Sequence, residues 1–207
     1  MIKAVLFDLD GVLVDAVRLH QQAFIEAISP YKYITEEEHM RDLNGLSTRK
    51  KLEKLGIPEE LREEIYNKKQ EKTYELIPKI IKEIPEVTET IKKIKEMKIP
   101  FAVCSNCIRK TTEVLTAQVN ITDFEFLLSN QDVSVSKPNP EMYLKAMEIL
   151  SLPKSEVLIV EDSPIGLEAA RASGAHVCEI KNPYDIKKVL KYIDEINNNS
   201  KQDIYHQ

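Results

Sequence analysis

The chain places acids in pairs where short apolar runs end. Ile2, Ala4, Val5, Leu6 and Phe7 form a nearly continuous apolar run that closes on Asp8-Leu9-Asp10-Gly11. The run is too short for a free-standing helix and reads as a buried parallel strand. Two carboxylates separated by one residue share a face if the strand stays extended. They then stand at the C-terminal edge, where open α/β sheets bind ligands. Gly11 lets the chain turn away sharply. Three further positions supply polar residues: Ser105-Asn106 after PFAVC, Lys137-Pro138 ahead of a helix from Pro140, and Glu161-Asp162-Ser163 after VLIV. In a parallel sheet all of these share one edge with Asp8 and Asp10. The collection is two Asp, a hydroxyl with backbone N–H groups, a Lys and two more acids. Taken singly, each has a plainer reading. Asp8 and Asp10 would solvate a turn, Ser105-Asn106 and Glu161-Asp162 would cap the helices that follow, and Lys137 would be a solvated loop residue.

The elements that must position these residues follow from periodicity. After Asp15 the strand pattern stops. Val17, Leu19, His20, Ala23, Phe24, Ala27 and Ile28 recur at helical spacing up to Pro30. Thr35 followed by Glu36, Glu37 and Glu38 is an N-cap with an acidic first turn. Ser47 opens a helix through Leu52 and Leu55 that ends at Gly56, and a longer helix after Pro58 carries Leu61, Ile65, Tyr66 and Tyr74. From residue 87 the pattern alternates. Helices are expected over 87–97, 108–119, 141–150, 165–172 and 184 to about 196. Strands are expected over 100–104, 124–128, 157–160 and 175–180. Such alternation means βαβ units and a parallel sheet covered on both faces. The fold class is therefore α/β, a Rossmann-like three-layer parallel-sheet core with an inserted all-helical unit. The core is discontinuous, residues 1–15 and 83–207, and the helical insert spans 16–82. The crossings near Asp15 and Ile84-Pro85 read as hinges, Gly174 as a helix C-cap, and 197–207 as a polar, frayed tail.

Composition bounds the rest. A chain of 207 residues, 43% hydrophobic and 30% charged, suits a soluble globular protein. The net charge of −5 and the lack of a basic block argue against nucleic acid as a partner. The N-terminal apolar run is too short for a signal peptide, and nothing approaches a membrane span. Three cysteines do not make a disulfide framework, so a reducing cytoplasm is expected. Monomer is the expected state, because no strong exposed apolar stripe shows in the pattern. Cys104 and Cys107 form a CxxC at a strand-to-helix junction, which is also the spacing of a thioredoxin-like redox pair. Nothing else in the sequence suggests redox chemistry. Cys178 reads as core, and the four histidines show no metal spacing.

Four motifs in order resemble those of the haloacid dehalogenase superfamily: Asp8-Leu9-Asp10-Gly11-Val12-Leu13-Val14-Asp15, Ser105-Asn106, Lys137-Pro138, and Glu161-Asp162 with Ser163 and Gly166. The likeness covers essentially the whole chain, and the helical insert is similar to that superfamily's small cap. The resemblance implies a small phosphomonoester as substrate. Asp8 would attack the phosphoryl group and form an aspartyl-phosphate. Asp10 would be general acid and then base. It implies Mg²⁺ held by Asp8, the backbone carbonyl of Asp10, and Asp162, with Glu161 behind it or as a further ligand. Lys137 and Ser105, beside Asn106, would meet the non-bridging oxygens. Halide chemistry is excluded on the same resemblance, since dehalogenases of the superfamily lack a second Asp-Gly like Asp10-Gly11.

Within the superfamily the sequence is most similar to the sugar-phosphate branch, which contains β-phosphoglucomutase and small phosphorylated-carbohydrate phosphatases. GVLVD, His20, the Asn44-Gly45-Leu46-Ser47 turn with Arg49, and EDSPIGLEAARASGA carry that likeness. His20, Ser47, Arg49 and Lys72 are the candidate substrate contacts of the insert. Three positions depart from the mutases. An Arg directly follows the Ser of the turn there, whereas Thr48 intervenes here and rotates Arg49 by about 100° on a helix. The late Lys of the long insert helix aligns with Glu75, one turn after Lys72. Residue 16 is Ala rather than a small hydroxyl residue. These departures favour a phosphatase, with a mutase as the alternative and an idle binding scaffold as a second one.

Overall fold

The computed structural model describes residues 1–44 and 46–205, with side chains through 199. Gly45 of the expected turn and His206 lie outside the described residues. The chain divides into two compact units, one of residues 1–15 and 82–207, the other of 16–81. Lys82, which the sequence reading puts in the helical insert, falls in the first unit.

The first unit is built on a five-stranded, all-parallel sheet in the order β3-β2-β1-β4-β5. Its strands are β1 (Ala4–Phe7), β2 (Phe101–Cys104), β3 (Leu127–Leu128), β4 (Val157–Glu161) and β5 (His176–Glu179). β1, β2 and β4 are wholly buried, as expected of strands covered on both faces. Leu6, Ala102, Cys104, Val157 and Ile159 pack with Met142, Tyr143, Ala146, Ala169 and Ala170 of α7 (Glu141–Leu150) and α8 (Pro164–Ser173). The alternate residues Val5, Phe7, Val103 and Val160 are equally buried. Phe7 meets Phe101 edge-on at 5.9 Å between ring centres. The helices α5 (Pro85–Glu96) and α9 (Lys188–Tyr205) pack together, and α6 (Arg109–Gln118) follows β2. This is the Rossmann-like α/β core expected.

Three boundaries differ from the sequence reading. β3 keeps only two ladder residues, although Phe126 and Glu125 already bond to Val103 and Phe101 through their backbones. A 3-10 turn covers Pro183–Asp185, and α9 starts only at Lys188. The expected frayed tail is instead helical through Tyr205. Its Asn-rich run has low intrinsic helix propensity, but Asn197 Oδ1 accepts from the Ile2 backbone N–H at 2.7 Å, and Ile193 is buried. Tertiary anchoring overrides the local preference there.

The second unit is all-helical: α1 (Val17–Ile28), α2 (Glu36–Asp42), α3 (Thr48–Lys54) and α4 (Glu59–Ile80). Thr35 and Glu38 form a reciprocal capping box at the start of α2. Ser47 caps α3, accepting from the Lys50 N–H. Phe24, Ile28, Leu43, Leu52 and Ile65 are among the residues of its core.

Candidate active site

The strand order puts the ends of β2, β1 and β4 side by side, with β1 in the middle. Asp8 follows β1 directly and continues the ladder by donating its N–H to the Val160 carbonyl at 3.0 Å. Beyond it, the N–H groups of Val12, Leu13 and Val14 all converge on the Leu9 carbonyl. This tight turn passes through Gly11 at φ +82°. A Cβ on Gly11 would overlap Asp162 Oδ2, so only glycine lets the turn and that carboxylate approach. Gly166 does the same for Glu161, whose Oε2 occupies the space a Cβ would need.

Lys137 reaches the same edge from the loop ahead of α7. Its backbone is clamped by the Asn106 side chain, which accepts from the Lys137 N–H at 3.1 Å and donates to its carbonyl at 3.2 Å. The ammonium donates to Asp8 Oδ1 at 2.9 Å, the Cys104 carbonyl at 2.8 Å and Glu161 Oε1 at 2.6 Å. An ammonium has three donors, and all are used. Glu161 Oε1 also accepts from the Tyr143 hydroxyl. Ser105 is buried, and its Oγ accepts from the Cys107 N–H at 3.1 Å. It does not cap α6, whose N-cap residue Ile108 has no side-chain bond. Nor does Asp162 cap α8, because Ser163 does so. Asp10 Oδ2 accepts from the Cys107 thiol at 3.2 Å.

The charges do not balance. Carboxylate oxygens of Asp8, Glu161 and Asp162 lie within 4.8 Å of one another. Burial first, and then the Glu161 charge, hold Asp8 well above the usual carboxylate range against the pull of Lys137. The same two causes push Asp162 to about 7. Burial works to lower the Lys137 amine, but Asp8 and Glu161 outweigh it and hold the amine above its ordinary value. Glu161 Oε2 and Asp162 Oδ1 are buried with no hydrogen-bond partner among the described residues. Clustered hard oxygens, excess negative charge and two orphaned oxygens fit a small divalent cation such as Mg²⁺.

The CxxC cysteines occupy different environments. Burial pushes the Cys104 thiol to about 12, which makes it a poor thiolate. Cys107 is half-buried against Asp10. A cavity of about 510 Å³, lined by Ile91, Phe101, Val119 and Ile121, opens where β2 begins and contains none of these residues.

The helical unit places its candidates differently from one another. Arg49 is exposed, paired with Glu63 at 3.0 Å and stacked 4.7 Å from the Tyr66 ring centre. Lys72 pairs with Glu75 at 2.8 Å. His20 Nδ1 lies 3.3 Å from the Nζ of Lys69, a buried lysine that the sequence reading missed. Lys69 falls on the stripe of Ile65, Thr73 and Leu76, the buried face of α4, so helical periodicity could have found it. Tyr143 was missed too; a tyrosine among Met142, Ala146 and Met147 reads as core until its hydroxyl is placed.

Residues 5–180 match the model of the haloacid dehalogenase-like hydrolases. A phosphorylated carbohydrates phosphatase of Thermotoga maritima is 29% identical over 177 residues, covering 83% of this chain and 82% of that protein. A β-phosphoglucomutase of Bacillus subtilis is 26% identical over 189 residues, covering 83% and 80%. The crystal structure of a β-phosphoglucomutase from Clostridium difficile superposes with a TM-score of 0.78 at 22% identity, over 97% of this chain and 99% of that one. The matched family model spans β1 to the end of β5 and takes in all four motif positions, so the chain belongs to the haloacid dehalogenase-like hydrolases.

Proposed function

We propose that the protein is a Mg²⁺-dependent phosphatase that hydrolyses a small phosphorylated metabolite, a sugar phosphate, through an aspartyl-phosphate on Asp8. The observation that carries this reading is the setting of Asp8, an acid at the central strand end facing a fixed ammonium at 2.9 Å. Asp8, Asp162 and the Asp10 backbone carbonyl would hold the ion, with Glu161 as a further ligand or behind it. Bound there, Mg²⁺ supplies the positive charge that a carboxylate needs near a phosphate dianion.

This chain's own groups do the rest. An Asp8 oxygen forms the new bond to phosphorus as the ester oxygen leaves. Asp10, two residues on and held by the Cys107 thiol, gives its proton to that oxygen. It then takes a proton from the water that attacks the aspartyl-phosphate, which frees inorganic phosphate and restores Asp8. Lys137, fixed by three acceptors, and the buried Ser105 hydroxyl stabilise the non-bridging oxygens. Asn106 keeps Lys137 in place through its backbone. His20, Ser47, Arg49 and Lys72 are the proposed substrate contacts of the helical unit, which serves as the cap. Three cysteines, all free, suit a reducing cytoplasm, and the net charge of −5 suits an enzyme acting on small molecules rather than on nucleic acid.

A second reading, transfer to a sugar hydroxyl rather than to water, is favoured by the similarity to the Bacillus subtilis β-phosphoglucomutase. Against it, Arg49 is engaged with Glu63 and Tyr66. The deciding experiment is phosphate release with Mg²⁺ from a panel of sugar phosphates and other phosphomonoesters, beside Asp8→Asn. β-Glucose 1-phosphate with catalytic 1,6-bisphosphate is included and assayed for glucose 6-phosphate. Phosphate release lost in Asp8→Asn supports the phosphatase. Glucose 6-phosphate with little free phosphate supports the mutase. Neither product from the native protein sinks both.

A further inference from the structure

The two cysteines of the CxxC have separate partners. Cys104 seats the Lys137 ammonium on its carbonyl at 2.8 Å, and its side chain packs into the core with Leu6, Met142 and Ala146. Cys107 is half-buried at the sheet edge, and its thiol donates to Asp10 Oδ2 at 3.2 Å. Between them, Asn106 clamps the Lys137 backbone. One segment of four residues therefore reaches both the cation that faces Asp8 and the side chain of Asp10.

The thiol is aimed by its own backbone. The Cys107 N–H donates to Ser105 Oγ at 3.1 Å, and its carbonyl accepts from the Asn130 N–H at 3.1 Å. The Asp10 backbone is placed by the turn at Gly11 and the bridge to Val14. That placement leaves the side-chain torsions of Asp10 open, and a change of one staggered well swings the carboxyl group through about 120°. An acid that must meet an ester oxygen and then a water needs one particular well, since a misplacement of about 1 Å costs about a hundredfold in rate. A thiol is a weak donor. It orients the carboxyl group without binding it as tightly as a charged donor does.

We infer that Cys107 is a positioning residue for Asp10, its S–H bond to Oδ2 selecting the side-chain orientation from which Asp10 gives its proton to the leaving ester oxygen. The role of Asp10 rests on the phosphatase reading above; the thiol–carboxyl contact does not.

Substituted phenyl phosphates separate orientation of the acid from general damage. A p-nitrophenolate leaves without a proton, whereas p-methoxyphenol needs one from Asp10. The ratio of kcat/KM between these two esters does not depend on how much of a variant is folded. In Cys107→Ala the p-methoxyphenyl ester loses about threefold to tenfold relative to the p-nitrophenyl ester, the worth of one hydrogen bond. Cys107→Ser keeps a donor and restores most of the ratio. A ratio that is unchanged in Cys107→Ala, or that moves the other way, overturns the proposal. The infrared S–H stretching band, assigned to Cys107 by its loss in Cys107→Ala, reads the contact without turnover. It moves to the free-thiol frequency in Asp10→Ala, and a band that stays in place there also overturns the proposal. No turnover of any ester by the native protein strikes the phosphatase reading and, with the band shift present, leaves the hold of Cys107 on Asp10 standing.

Discussion

Lys137 and Asp8, 129 positions apart in the chain, meet at 2.9 Å in a place where both are nearly inaccessible to water. The other two donors of the ammonium are taken by Glu161 and the Cys104 carbonyl. The cation therefore cannot swing away from Asp8 without breaking two further bonds. Its orientation is set before any ligand arrives, which is how an electrostatic contribution to catalysis avoids reorganisation cost.

Replacing Lys137 with methionine keeps the volume and removes the charge. Asp8 and Glu161 are then left buried together with no cation. The expected loss is about 3–5 kcal/mol of stability, together with loss of phosphate release. Urea unfolding of the metal-free chain reads the first and a phosphate assay the second. A stability change under about 1 kcal/mol would mean that the carboxylates take up protons at little cost.

Gly11→Ala and Gly56→Ala separate backbone strain from crowding. Both glycines have positive φ, +82° and +69°. A Cβ meets Asp162 at Gly11 and nothing within 4 Å at Gly56. Each variant bears the left-handed penalty of about 1–2 kcal/mol. Only Gly11→Ala displaces a proposed metal ligand, and its Mg²⁺ requirement for activity rises about tenfold to a hundredfold. Equal Mg²⁺ titrations for the two variants would remove Asp162 from the ligand set.

The acid cluster makes stability depend on pH in an unusual direction. Asp162 has its folded pKa raised to about 7 from 3.8. Between those values the unfolded chain has released the proton that the folded chain still holds. Metal-free protein therefore loses stability as pH rises from about 4 to 7 through this group. Asp162→Asn cancels that slope. Mg²⁺ binds the ionised form, so its affinity falls as pH drops below about 7. The difference in urea midpoint between native protein and Asp162→Asn, in EDTA at pH 5 and pH 7.5, is the measurement. A difference that does not change with pH refutes the assignment.

Tyr143→Phe deletes the hydroxyl that donates to Glu161 Oε1 and keeps the ring, whose centre lies 4.8 Å from the Lys137 ammonium. The expected cost is about 1–3 kcal/mol in stability, with phosphate release retained. Activity as low as in Asp8→Asn would instead give Tyr143 a direct part in the chemistry.

Much of this was legible in the sequence because it is local. An apolar run of five residues ending in Asp-x-Asp-Gly specifies a buried strand and a sharp turn by short-range sterics alone. Thr35 with Glu38 specifies a helix start in the same way. Alternation of strand and helix patterns then puts every strand end on one edge. Asp8, Asp10, Ser105, Glu161 and Asp162 could thus be gathered before any contact was known.

Only the tertiary structure decided which partners those groups have, because the partners are remote in sequence. Tyr143 reaches Glu161 across 18 residues and Cys107 reaches Asp10 across 97, and no periodic pattern carries such information. The same holds for lysines. Lys51, Lys69 and Lys72 look alike in sequence, but packing buries the first two, while the third pairs with Glu75 in its own helix. The reading from sequence named Lys72 from the resemblance, as the lysine one turn before Glu75; Lys69 lies on the face of α4 that Ile65 and Leu76 commit to the interior, and only the fold brings it beside His20. Backbone geometry follows from neighbours in the chain; charge pairing and burial follow from neighbours in space.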